Sequence, residues 1–122
     1  MDDKVVNEPI VPREFVIVPS FEAKWKRLGF GEEDMIRLEQ MLLENPKVGV
    51  VMRGTGGARK VRFAFSHCGK SGSARVIYVD FEIAAKIFLV DVYAKAEKEN
   101  LTSAERNTLR NYVEVLELSL EE

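Results

Sequence analysis

Apolar and polar residues alternate most cleanly over residues 59–66, where Val61, Phe63 and Phe65 point one way and Lys60, Arg62 and Ala64 the other. A period of two is the signature of a strand with one face buried. Residues 74–81 (ARVIYVDF) and 86–94 (KIFLVDVYA) are strongly β-forming, and the few residues between them predict a hairpin. Residues 15–18 (FVIV) form a short β-branched run ended by Pro19, which predicts a first strand buried on both faces. Residues 48–52 read as another short strand, followed by a glycine turn at residues 54–57 (GTGG).

Helical spacing takes over elsewhere. Ser20 is placed to cap a first helix whose apolar positions are Phe21, Trp25 and Leu28, and Gly29 and Gly31 interrupt it. A second helix starts near Glu32, with Glu32, Glu33 and Asp34 at the positive end of its dipole, Met35, Leu38 and Leu42 as its stripe, and Asn45-Pro46 as its stop. These two form a helical hairpin. The last helix, over residues 101–120, opens with the capping box Thr102-x-x-Glu105 and buries Leu101, Ala104, Leu109, Tyr112, Val113, Leu116 and Leu120. Strand, helix, helix, four strands, helix is the order of an α+β domain with a five-stranded, mainly antiparallel sheet. One face is expected to be covered by helices and the other left to Lys60, Arg62 and their neighbours. Residues 1–14, with their acids and two prolines, read as a flexible arm before a single domain over 15–122.

Length and composition agree with this reading. A chain of 122 residues with 46% hydrophobic content holds one core and is too short for two ordinary domains. The lone Cys68 can make no internal disulfide, which fits a reducing compartment, the cytoplasm by default. The acidic start lacks the basic and apolar regions of a secretory signal, and no apolar run approaches the ~20 residues of a membrane span.

Charge changes the picture more. The net charge is -2, yet residues 45–79 contain seven basic residues (Lys47, Arg53, Arg59, Lys60, Arg62, Lys70, Arg75) and no Asp or Glu. A field depends on how charges are grouped, so an acidic protein can still offer a cationic face to a polyanion. Residues 64–71 (AFSHCGKS) satisfy a permissive phosphate-loop pattern, but such a loop must lead into a helix, and this one leads into a strand. His67 beside Cys68, with no other His or Cys in the chain, cannot supply a tetrahedral zinc set. The single histidine also leaves acid–base chemistry to Lys, Arg, Tyr or a carboxylate.

Four fragments taken together resemble the RelE/HigB family of type II toxin–antitoxin toxins: GTGGARKVR at 54–62, GKSGSARVIY at 69–78, VYAK at 92–95 and L-T-x-x-E at 101–105. The resemblance implies a RelE-like fold and a toxin that cuts messenger RNA on the ribosome without metal or cofactor. In that reaction the ribose 2′-hydroxyl attacks the adjacent phosphate. It further implies a cognate antitoxin of helix-turn-helix type and no membrane partner. Lys60 and Arg62 match the family's basic pair and Arg75 its phosphate-contacting arginine, with Lys95 completing the catalytic set. Lys60, crowded by Arg59 and Arg62, is the candidate for proton transfer. Arg53, Arg59, Lys70, Tyr78, Tyr93 and Lys98 are the implied RNA contacts. The chain departs from the pattern in having Arg62 where some members have lysine, Ala96 where some have arginine, and no tyrosine at the start of the last helix. A gyrase-inhibiting toxin of ParE type and a noncatalytic RNA-binding relative share the scaffold and remain alternatives.

Overall fold

The structure, a computed structural model, describes residues 12–64 and 72–121. Along the chain run β1 (Glu14–Ile17), α1 (Pro19–Arg27), α2 (Glu32–Glu44), β2 (Val50–Val51), β3 (Arg59–Ala64), β4 (Ser73–Phe81), β5 (Lys86–Ala94) and α3 (Ser103–Ser119). The five strands lie in the order β1-β5-β4-β3-β2. All neighbours are antiparallel except β1 and β5, which are parallel. The element order and the α+β class are those expected from the sequence.

The expectation of a sheet covered on one face is corrected. Helices α1 and α2 pack Phe21, Trp25, Leu38 and Leu42 against Phe63, Val76, Tyr78, Ile87 and Leu89. On the opposite face α3 packs Leu109 and Val113 against Ile77, Val79, Phe88 and Val90. The reason is visible in β4 and β5, where Val76 to Val79 and Ile87 to Val90 are apolar without a break. Burying one such side chain is worth roughly 1.5–3 kcal/mol, so neither face of these central strands can be left to water. Phe30 closes the first cluster by stacking on Trp25 with ring centroids 4.2 Å apart.

Smaller corrections share the same physics. Val18, not Ser20, caps α1, with Pro19 at the helix start, because proline needs no N–H partner there and holds the residue before it extended. β1 is half-buried rather than buried on both faces, since as an edge strand it has one neighbour. β2 keeps only Val50 and Val51 of the expected 48–52. In α3, Ala104 and Tyr112 are exposed, because the sheet lies beneath Leu109 and Val113 on the helix's other side. Of the arm, residues 1–11 lie outside the described residues, while Arg13 is docked: its Nε and Nη2 donate to the Asp80 carboxylate at 2.6 and 3.2 Å. Phe65 also lies outside the described residues.

Tyr78 ties the entry of β2 to the sheet. Its hydroxyl donates to the Pro46 carbonyl at 2.8 Å and accepts from the Gly49 N–H at 2.9 Å, and the side chain is fully buried. A Cβ at Gly49 would stand 2.8 Å from the Tyr78 ring, so only glycine permits the approach. Tyr78→Phe leaves the Gly49 N–H and the Pro46 carbonyl without this partner. We expect it to lower unfolding free energy by about 1–3 kcal/mol in urea titration, and an unchanged midpoint would refute the role assigned to the hydroxyl.

Candidate nucleic-acid interface

Strand register builds the site. On β3 and β4, Arg62 pairs with Arg75, and on β4 and β5, Arg75 pairs with Tyr93. Directly opposed residues project to the same face with Cβ atoms about 4.5–5.5 Å apart, so Arg62, Arg75 and Tyr93 form one row across three strands. Lys60 pairs with Ile77 and therefore joins this face, the one that carries α3. Beyond the row, β5 has a bulge: Ile77 pairs with Asp91 and Tyr78 with Leu89, leaving Val90 extra.

Two arginines directly opposed repel one another, and like charges in this position are destabilising. Among the described residues none of Lys60, Arg62 and Arg75 is in an ion pair, whereas Arg13, Lys24, Arg37, Lys47, Lys86 and Lys98 all are. Arg62 is exposed and Arg75 half-buried. Arg75 Nη1 donates to Ser73 Oγ at 2.8 Å, which steers the guanidinium without neutralising it. Lys60 Nζ donates to Asn100 Oδ1 at 3.4 Å, at the approach to α3.

At the other end of the row Tyr93 is only 4% exposed, and its hydroxyl has no hydrogen-bond partner among the described residues. An unsatisfied buried hydroxyl costs roughly 1–3 kcal/mol. Lys98 Nζ lies 5.3 Å from the Tyr93 ring centroid and donates to Glu105 Oε2 at 2.6 Å. Glu105 in turn accepts from the Thr102 N–H while its own N–H donates to Thr102 Oγ1, the capping box expected from the sequence. Burial pushes the Tyr93 phenol up from its usual range, against the opposing pull of Lys98. The bond from Lys98, followed by that from Thr102, draws the Glu105 carboxyl down.

The remaining sequence-derived positions scatter. Lys95 is exposed just past β5, with its N–H on the Ser73 carbonyl, at the same end of the sheet as the row. Arg53 is exposed in the turn before β3, where its carbonyl accepts from Arg106, at the far end of that strand from Arg62. Two implied RNA contacts are corrected. Arg59 and Tyr78 pair with each other on the α1–α2 face. There Arg59 donates to the Lys47 and Gly49 carbonyls and Tyr78 is buried, so neither is presented with Arg62 and Arg75. Strand alternation decides this, because Arg59 is an odd number of residues from both Lys60 and Arg62, and its own pairing partner Tyr78 is a core residue. Lys70, like His67 and Cys68, lies outside the described residues. Sequence reading missed Ser73, which shares the β4 face of Arg75 by two-residue spacing, and Asn100, which only the placement of α3 brings to Lys60. A cavity of about 460 Å³ beside the site, floored by Ile77, Val90, Leu101 and Leu109, holds none of the unpaired cations.

Residues 48–122, which include the whole row, match the family model described as the RelE toxin of the RelE/RelB toxin–antitoxin system. The chain belongs to the RelE toxin family. Membership implies an antitoxin partner of RelB type for this RelE-family toxin. Its fold is also similar to that of an E. coli toxin RelE mutant with two arginine-to-alanine replacements, in the free state. Identity is 16%, the match covers 72% of this chain and 88% of that one, and the TM-score is 0.52. Among the described residues of the RelE-family chain, no helix is long and apolar enough to cross a membrane.

Proposed function

We propose that this toxin is an endoribonuclease that cuts messenger RNA on the ribosome in the cytoplasm, and that an antitoxin of helix-turn-helix type holds it inactive. The observation that carries the reading is the Arg62–Arg75 couple, without an ion-pair partner among the described residues, on one sheet face with Lys60. The 2′-oxygen attacks phosphorus, the bond to the 5′-oxygen breaks, and a 2′,3′-cyclic phosphate and a 5′-hydroxyl result. The pentacoordinate phosphorane carries extra negative charge on its non-bridging oxygens, and preorganised cations lower its energy most. Two guanidinium groups suit this task, since each presents a fork of donors and stays protonated. Arginine is for the same reason a poor base, so Lys60 takes the 2′-proton, with Lys95 at the same end of the sheet to hold a flanking phosphate.

A translation reaction programmed with a defined messenger tests the reading, with RNA ends mapped by primer extension. Codon-phased cuts that require ribosomes are expected from the wild-type protein. Cuts in free RNA would remove the ribosome from the mechanism. Strongly salt-dependent RNA binding without cuts would favour the noncatalytic alternative. No cuts together with loss of gyrase supercoiling would favour the ParE-like one.

A further inference from the structure

We infer that the buried Tyr93 hydroxyl belongs to the reaction centre, where it donates a hydrogen bond to a non-bridging oxygen of the phosphate held by Arg62 and Arg75. The inference rests on the ribonuclease reading above and adds to it a neutral donor. Three observations carry it. Tyr93 is directly opposite Arg75 in the register, on the same face. Its hydroxyl is buried and lacks a partner among the described residues, in a protein whose other buried tyrosine, Tyr78, has two. Genuinely unsatisfied buried groups are rare, and each asks for an explanation beyond stability. The third is what stands over the ring: Lys98, which is about a third exposed and held by the half-exposed Glu105. Entering RNA offers Lys98 a phosphate in place of Glu105. The lysine can follow the RNA, and the hydroxyl then meets the phosphate it faces.

The charged groups around the hydroxyl are Lys98, Asp91, Arg75 and Glu105, two of each sign. Asp91 is already paired with Lys24 and Glu105 with Lys98, which leaves Arg75 as the one of these without an ion-pair partner among the described residues. An anion at Arg75 is therefore the partner that the surroundings admit. No proton is transferred from Tyr93. The phenol stays neutral while the 2′-proton goes to Lys60 and solvent water gives a proton to the departing 5′-oxygen, so the hydroxyl contributes only as negative charge grows on the phosphate.

Tyr93→Phe separates this role from a structural one. If the hydroxyl has no partner in the free protein, its removal leaves the melting temperature unchanged or raised by a few degrees. If it serves the phosphorane, removal lowers kcat for ribosome-dependent cutting by about 10-fold to 100-fold with little change in KM. Wild-type cutting by Tyr93→Phe would overturn the inference and leave the ribonuclease reading standing. A melting temperature well below that of the wild type would also overturn it, since the hydroxyl would then have a structural partner. A wild-type protein that cuts nothing would overturn both.

Discussion

Arg75→Ala should cut ribosome-bound messenger at least about 100-fold more slowly than the wild type, the loss typical of deleting one strong donor to a developing oxyanion. Its stability should not fall. Arg75 is half-buried, and its guanidinium donates to Ser73 Oγ. Removing it also relieves the repulsion of Arg62, its direct cross-strand neighbour. Arg75→Lys keeps the charge and loses the two-pronged geometry, so it should recover only part of the rate. Single-turnover cutting of a defined messenger, with urea unfolding of each variant, makes the comparison. An Arg75→Ala protein that cuts at the wild-type rate would remove Arg75 from the site, whatever the fate of the neighbouring residues.

The second large effect lies at the opposite end of the molecule and concerns folding alone. Arg13 and Asp80 form a two-bond ion pair in which both side chains are almost entirely buried, 4% and 2% exposed. It fastens the residue before β1 to the end of β4, across β5. A buried pair can be neutral in net stability, but removing one partner strands a charge away from water and costs about 3–5 kcal/mol. Asp80→Ala should reach that range, because among the described residues Arg13 then has no carboxylate bonded to it. Arg13→Ala should fall near the lower limit, because Lys47 Nζ already stands 3.9 Å from the Asp80 carboxylate. The hydrogen bond that Arg13 donates to Asp80 raises the Arg13 pKa from a value that is already high. A raised folded-state pKa gives stability that is complete below the unfolded value and lost only as pH climbs through the folded one. The contribution from Arg13 is therefore constant through the neutral range. Urea unfolding of both single variants and the double variant checks the pair, and the double should cost clearly less than the sum. Strict additivity would mean that the two side chains do not act together.

Local pattern carried most of the architecture. The Thr102–Glu105 capping box, the Asn45-Pro46 stop, the alternation of Lys60 and Arg62 against Val61 and Phe63, and the hairpin of β4 and β5 each depend on residues a few positions apart. Steric and hydrogen-bonding rules act at that range, so the signals survive in a single sequence. The family resemblance drew on the same segments, and the match over residues 48–122 covers them. Where the reading slipped, a distant partner decided. The sequence reading left one sheet face to Lys60, Arg62 and their neighbours, and only the placement of α3 shows that the apolar runs of β4 and β5 are covered on both sides.

The basic stretch divides along the same line. Its seven cations and lack of acids were plain in the sequence. Their allocation to faces was not. Register sets Arg62 against Arg75 and Tyr93, and sends Arg59 to the carbonyls of Lys47 and Gly49 behind Tyr78. The sequence by itself determined the elements, their order and the presence of a basic stretch without acids, because these follow from neighbours in the chain. Only the tertiary structure decided which cations share a face, that Arg13 is locked to Asp80, and that the Tyr93 hydroxyl is buried without a partner among the described residues. Each of these depends on side chains brought together from separate strands, at distances the order of residues does not encode.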